Sequence, residues 1–348
     1  MLLGMGGLRG SIRRRNLAKR WILLVLTVAG LALLGIMGRH ALRAALTVLP
    51  RISPLAWLGL LLAGVWTLAA AVAWRVLIVA SGVKRIPHLA TLWLIRLEAQ
   101  AVNLLLPLAG MGGEALRAST LARGTQQTTA SIASVALDIV AEIAACFAFA
   151  AAGTLLDWRA MRVSSELGLA GVLGSVLIAL AMLFAPTLLP GVARWRGWGR
   201  RAGSMRAFAL SISRGRRAGM GRSLVWHLVE RFLIAGETWV YAHALGLPMS
   251  WLDAVFATAV MTLLGSVLFF VPGQLGVADG GLALAMSWLG FSWSYGLAVA
   301  LTRRMRQLLI ALIGLLALLV AEWRPRPVIP PVPVPVPVPV RRKQRMDL

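Results

Sequence analysis

Charge is scarce in this chain, and acid scarcest of all. Its 348 residues include only 12 Asp and Glu, and 14% of residues are charged, against about 25% in soluble domains. Lysine is nearly absent, with 3 against 33 arginines. Cysteine occurs once, at Cys146 inside an apolar run, which excludes an internal disulfide and a cysteine cluster for metal. The four histidines (His40, His88, His227 and His243) have no metal-ligand spacing. His-Glu-x-x-His, a Walker loop and Gly-x-Ser-x-Gly are all missing, and Gly4-Met-Gly6 and Gly110-Met-Gly112 are fragments too small for a nucleotide site. The expectation is no catalytic residue, no metal, no cofactor and no ATP-driven machinery. Glu142 and Glu237, buried in apolar runs, leave an intramembrane enzyme as the third-ranked reading.

Apolar sequence is abundant. Hydrophobic residues make up 59% of the chain and the mean hydropathy is +0.80. Several runs reach the 18 or so residues that span a hydrocarbon core of about 30 Å. The net charge of +24 is concentrated in three blocks, residues 9–20, 194–222 and 324–345. Because these blocks flank apolar spans, cytoplasmic retention of positive charge explains them before nucleic-acid binding does. Contact with anionic lipid headgroups follows as a second consequence.

The sequence therefore predicts an all-α polytopic membrane protein. Residues 1–20 form a basic cytoplasmic N-terminus, residues 21–322 a single integral membrane domain, and residues 323–348 a tail. Six full spans are expected at 21–38, 54–80, 129–156, 167–189, 224–245 and 295–322, with a basic cytoplasmic loop at 192–222. This parity puts both termini on the cytoplasmic side of the membrane. The tail repeats Pro-Val and should be a polyproline II spacer with a basic end. A surface anchor is its plainer role, and a proline-binding partner the sharper one.

Two further segments are broken. Leu89–Leu106 runs into Pro107, Gly110, Gly112 and Gly113 and restarts at Glu114; Ala254–Val271 runs into Pro272, Gly273 and Gly276 and restarts before Asp279. In each, an acid follows the proline by seven positions, and the prolines are 165 residues apart. Paired Gly/Pro-interrupted segments in two halves are a pointer to a transporter's binding site. They are read as opposed re-entrant hairpins in an inverted repeat, with repeat A at 54–156 and repeat B at 224–322. Counting each hairpin arm as a span gives eight to ten spans instead.

Seven of the acids fall in these segments: Glu98, Glu114, Asp138, Glu142, Glu230, Glu237 and Asp279. Each would cost at least about 2.5–3.5 kcal/mol unpaired at the bilayer centre. They need cations or water. One reading is internal salt bridges that hold helices together; the other is a polar cavity for a lipid headgroup. Asp138 and Glu142 are i,i+4 and share a helix face, so they require a cation between them or a proton. Arg303, Arg306 and Gln307 likewise share a face. Asp138 follows Glu114 by 24 residues and Arg303 follows Asp279 by 24, so the repeat sets an acidic patch against a basic one, and Asp138 is expected to pair with Arg303. His227 precedes Glu230 by three. Arg231, adjacent to Glu230, is expected to point elsewhere. Arg96, Arg117, Arg303 and Arg306 are the candidate phosphate ligands, because guanidinium offers paired donors. Asn103 joins them as a polar group in the first broken segment.

These residues carry a resemblance. Arg96, Glu98, Asn103, Pro107, Gly112-Gly113-Glu114, Arg117, Pro272-Gly273, Gly276, Asp279 and Arg303-x-x-Arg306 together resemble the flippase-like transmembrane region of lysylphosphatidylglycerol synthases. Within that superfamily, Glu230-Arg231 and Gly236-Glu237-x-Trp239 look most like the hopanoid-biosynthesis-associated subgroup HpnL. The resemblance covers about residues 50–322. It implies a translocase-like protein of the bacterial inner membrane handling a phospholipid, hopanoid or polyprenyl-type lipid, with membrane lipids, anionic ones included, as partners. The superfamily's aminoacyl-transferase domain is not expected here. The sequence departs from the pattern at Asp279, where glutamate is usual, and after Asp138, where an arginine is missing. The alternative from another class is a non-transporting membrane subunit that scaffolds lipid-biosynthesis enzymes.

Overall fold

A computed structural model describes residues 53–105, 111–156, 165–192, 202–267 and 277–323. Among these residues the chain is all helix, with no strand. The expected N-terminal region and first span, the tips at Pro107, Gly110, Pro272, Gly273 and Gly276, and the Pro-Val tail lie outside the described residues.

The helices are α1 (Ala56–Ala80), α2 (Leu89–Leu105), α3 (Gly112–Thr125), α4 (Thr128–Leu156), α5 (Ser165–Val192), α6 (Ala202–Ala244), α7 (Trp251–Val267), α8 (Val277–Trp288) and α9 (Trp293–Trp323). α1 and α4 are both long and apolar enough to cross a bilayer, with window hydropathies of 1.9 and 2.0. α6 and α9 are long but carry charge: Glu230 and Glu237 of α6 are buried, and Arg231 of α6 and Arg303, Arg304 and Arg306 of α9 are partly buried. The exterior is apolar: Leu61, Leu177 and Trp57 are each about two-thirds exposed, at 67%, 66% and 69%. The interior holds alanines beside Arg96, Arg117, Asp138, His227, Glu230 and Glu237, all under 9% exposed. This inverts the ordinary distribution of soluble proteins and matches a solvent of lipid tails.

One expectation fails outright. Residues 202–222, assigned to a basic loop, are helical and continue without a break into the span that follows, making α6 43 residues long. Arginine is a good helix former. The reason for order is a stripe of buried small and apolar residues at helical spacing, Ala209, Ile212, Gly215 and Gly219, while Arg206, Arg214, Arg217 and Arg222 are exposed. A Cβ on Gly215 would meet Leu137 of α4 at 2.3 Å, and one on Gly219 would meet Ala80 of α1 at 2.7 Å.

The helices pack in related pairs. α1 lies along α6; α2 packs on α9 and α4 on α7; α3 packs on α4 and α8 on α9. α4 also lies along α6, and α1 and α9 make no comparable contact. α1 and α6 end alike. Gly82 and Gly246 follow them with φ of 88° and 76°, and the amides of Val83 and Leu247 bond back to the carbonyls of Ile78 and Ala242. This six-to-one closure needs a left-handed residue, which glycine supplies without a Cβ penalty.

Small residues set the crossings, because close backbone approach and dispersion drive helix association in lipid. The α2–α9 crossing is tightest: a Cβ on Gly314 would sit 2.1 Å from the Leu97 carbonyl oxygen. Gly314→Ala should destabilise the protein by about 1–3 kcal/mol, while Gly64→Ala, with nothing within 4 Å, should be neutral. Thermal unfolding of the two detergent-purified variants measures the contrast.

Candidate functional site

The first charged cluster is built around Asp138 on α4, which is fully buried. Arg96 on α2 donates to Asp138 Oδ2 at 2.8 Å and to Glu142 Oε2 at 3.3 Å. It is therefore the cation that the i,i+4 carboxylates require. The Arg96 guanidinium also donates to the Ala70 carbonyl of α1 at 3.2 Å. Arg117 on α3 binds Asp138 Oδ2 as well, reaches Glu114 at 2.6 Å and stacks 4.4 Å over the Trp74 ring. From α6, His227 contacts Asp138 Oδ1 at 3.1 Å and Glu230 at 2.8 Å. Arg231 reaches Glu230 at 3.1 Å and Glu142 at 3.4 Å. Arg231 thus joins the cluster rather than pointing away: its side chain is long enough to turn back along the helix face its predecessor uses.

The second cluster joins α1, α6, α8 and α9. Glu237 accepts from Trp66 at 3.0 Å and from Arg306 at 2.8 Å, and Arg306 lies 5.3 Å over the Trp66 ring. Arg304 grips both oxygens of Asp279 at 2.8–3.0 Å and donates to Gln307 at 3.0 Å. Arg303 donates to the Thr238 hydroxyl at 2.9 Å and has no carboxylate partner among the described residues.

Asp138 and Arg303 therefore do not pair. Each has its own partners, because Arg96 and Arg117 fill the Asp138 oxygens from helices adjacent in the fold. Glu98 lies on the far side of α2 from Arg96, Gln100 and Asn103, lines neither of the two cavities that the clusters border, and has no ion or hydrogen-bond partner among the described residues. Asn103 closes the first hairpin instead of facing a ligand alone. Its side chain accepts from the Gly113 amide at 2.6 Å, and a Cβ at Gly113 would collide with the Ala99 carbonyl at 2.3 Å. Gly112 begins α3 beside it. Arg304, Gln307, Trp66 and Thr238 were not marked as site residues from sequence. The signal for Arg304 is its i,i+3 relation to Gln307.

Between the clusters lies a cavity of about 710 Å³. Arg96, Glu114, Arg117, Glu142, Glu230, Arg231 and Arg306 line its polar side, and Ile139, Ile143, Phe147, Ile178 and Met182 form an apolar wall from α4 and α5. A smaller cavity of about 190 Å³, lined by Asp279, Arg303, Arg304 and Arg306, shares Trp66, Arg231 and Gln307 with it. Three buried donors on wall residues have no partner among the described residues, Arg117 Nε, Arg231 Nε and the Thr262 hydroxyl. Ligand atoms of Asp138, Glu142 and His227 lie within 4.8 Å of one another. The Arg96 and Arg117 guanidiniums already occupy that space as counter-cations, so the trio does not fit a metal.

The chain belongs to the lysylphosphatidylglycerol synthase transmembrane region family, whose model matches residues 21–314. It is thus a membrane protein of a lipid-related family. Neither the curated proteins nor the solved structures contain a match.

Asp138→Ala strands three cationic or polar partners in the interior and should cost about 3–5 kcal/mol. Glu114→Ala, at the half-open end of the cluster, should cost far less. In double-mutant cycles Asp138 and Arg303 should be additive within about 0.5 kcal/mol, because they share no partner, while Asp138 and Arg96 should couple strongly.

Proposed function

We propose that this protein binds and translocates an anionic phospholipid, hopanoid or polyprenyl-type lipid across a bacterial inner membrane. The observation that carries the reading is Arg303, a guanidinium on a cavity wall without a carboxylate partner among the described residues. Among the described residues Arg304 pairs with Asp279 and Arg306 with Glu237, while Arg303 has no carboxylate within ion-pair distance. A phosphodiester supplies one negative charge and oxygens suited to a guanidinium. Arg231 Nε and the Thr262 hydroxyl offer further donors, and the apolar wall of α4 and α5 suits acyl or isoprenoid chains. Unpaired buried donors carry a penalty that a ligand relieves.

The inverted repeat belongs to the same proposal. Exchanging α1–α4 for α6–α9 turns the α2–α9 contact into α7–α4 and α3–α4 into α8–α9, and the turn glycines 82 and 246 correspond. Broken helices that meet at the middle of two such halves are a transporter plan. Cytoplasmic termini follow from the arginine blocks, and the hopanoid-associated subgroup remains the narrower assignment.

Reconstitution tests this directly. In vesicles carrying a fluorescent phosphatidylglycerol in one leaflet, the wild type should speed lipid exchange between leaflets and Arg303→Ala should slow it about tenfold or more. An exchange rate equal to that of protein-free vesicles would refute translocation.

A further inference from the structure

His227 lies between two carboxylates. Its Nε2 is 3.1 Å from Asp138 Oδ1 and its Nδ1 is 2.8 Å from Glu230 Oε2, and the three side chains are at most 2% exposed. A neutral imidazole has one N–H and one lone pair, and an ionised carboxylate only accepts. A neutral ring between two carboxylates would leave a lone pair facing a lone pair in a site without solvent. Both hydrogen bonds close when the ring carries an N–H on each nitrogen, one proton more than the neutral imidazole. Charge points the same way. Arg96, Arg117 and Arg231 face four carboxylates in this cluster, Glu114, Asp138, Glu142 and Glu230, and one proton makes it neutral.

The surroundings supply no substitute. Among the described residues, α1, α5 and α7 each carry one charged side chain: Arg75 and Glu166 are exposed, and Asp253 bonds the Ser250 amide at its own helix start. Cys146 of α4 is buried on the same cavity wall. From α9, Arg303, Arg304 and Arg306 belong to the second cluster. On α6 the nearest charged neighbours are the exposed Arg222 and Glu237, the latter held by Trp66 and Arg306.

We propose that Asp138, His227 and Glu230 form a proton-binding site linked to the headgroup cavity, so that an anionic lipid and a proton are bound together. Glu230 is the link. One of its oxygens meets His227, the other accepts from Arg231, and both Glu230 and Arg231 line the large cavity. An anion that draws Arg231 to itself removes the counter-cation of Glu230, which raises the triad's affinity for its one further proton, so the site holds that proton to higher pH than it does without the anion. No bond other than that to hydrogen is made or broken. By linkage the proton strengthens anion binding as much as the anion strengthens proton binding. The inference rests on the lipid reading above.

The test is calorimetric titration of the detergent-purified full chain with dihexanoyl phosphatidylglycerol, in two buffers of different ionisation heat, from about pH 5 to about pH 9. The wild type should take up close to one proton per lipid over part of this range, and its affinity should fall by up to about tenfold per pH unit there. His227→Gln, which keeps one donor and one acceptor without a titrating charge, should bind with no proton uptake and a flat profile. Wild-type binding without proton uptake overturns the proton site and leaves the lipid reading standing. Uptake unchanged in His227→Gln also overturns it. No binding by the wild type overturns both.

Discussion

The Asp138 carboxylate fixes the arrangement of this molecule. A fully buried anion in a membrane interior is tolerated only with cations against it. Its partners come from different helices: the cations Arg96 from α2 and Arg117 from α3, and the His227 ring from α6. Four helices are thereby tied at one point. Arg117 belongs to the short α3, whose entry depends on the Asn103–Gly113 contact. The broken hairpin and the ion cluster are therefore parts of one construction. The charge that makes this segment costly in lipid is also what pins it in place.

A second consequence is the cavity. Holding Arg96 and Arg117 on Asp138 keeps charged side chains on one side of a space whose opposite wall is aliphatic and aromatic. The second cluster completes the space from α6, α8 and α9, and there Arg303 has no carboxylate partner among the described residues. A lipid combines the same two characters, a charged head and apolar chains, and a protein of a lipid-related membrane family presents the complementary surface.

Much of this is legible in the sequence, for physical reasons. The bilayer forces apolar runs of span length, so helices such as α1 and α4 stand out. The rarity of acids makes each one conspicuous, which is why Asp138, Glu142, Glu230 and Glu237 were identifiable without a structure. Local spacing also served: the need for a cation between Asp138 and Glu142 follows from i,i+4 geometry, although its identity as Arg96 does not. What failed depended on tertiary packing. The first half of α6 reads as a basic loop because arginine dominates it, while the glycines that seat it on α1 and α4 look like loop formers. The direction of Arg231 is not legible because adjacency does not say where a long side chain turns. The Asp138–Arg303 pairing inferred from symmetry failed because nearer arginines satisfy the acid first.

The measurement that bears most directly on this account is mass spectrometry of the lipids that stay bound through mild detergent purification, for wild type and Arg303→Ala. The account predicts one anionic lipid class enriched over its membrane abundance in the wild type and lost from the variant. Lipid at bulk membrane proportions in both preparations would contradict it.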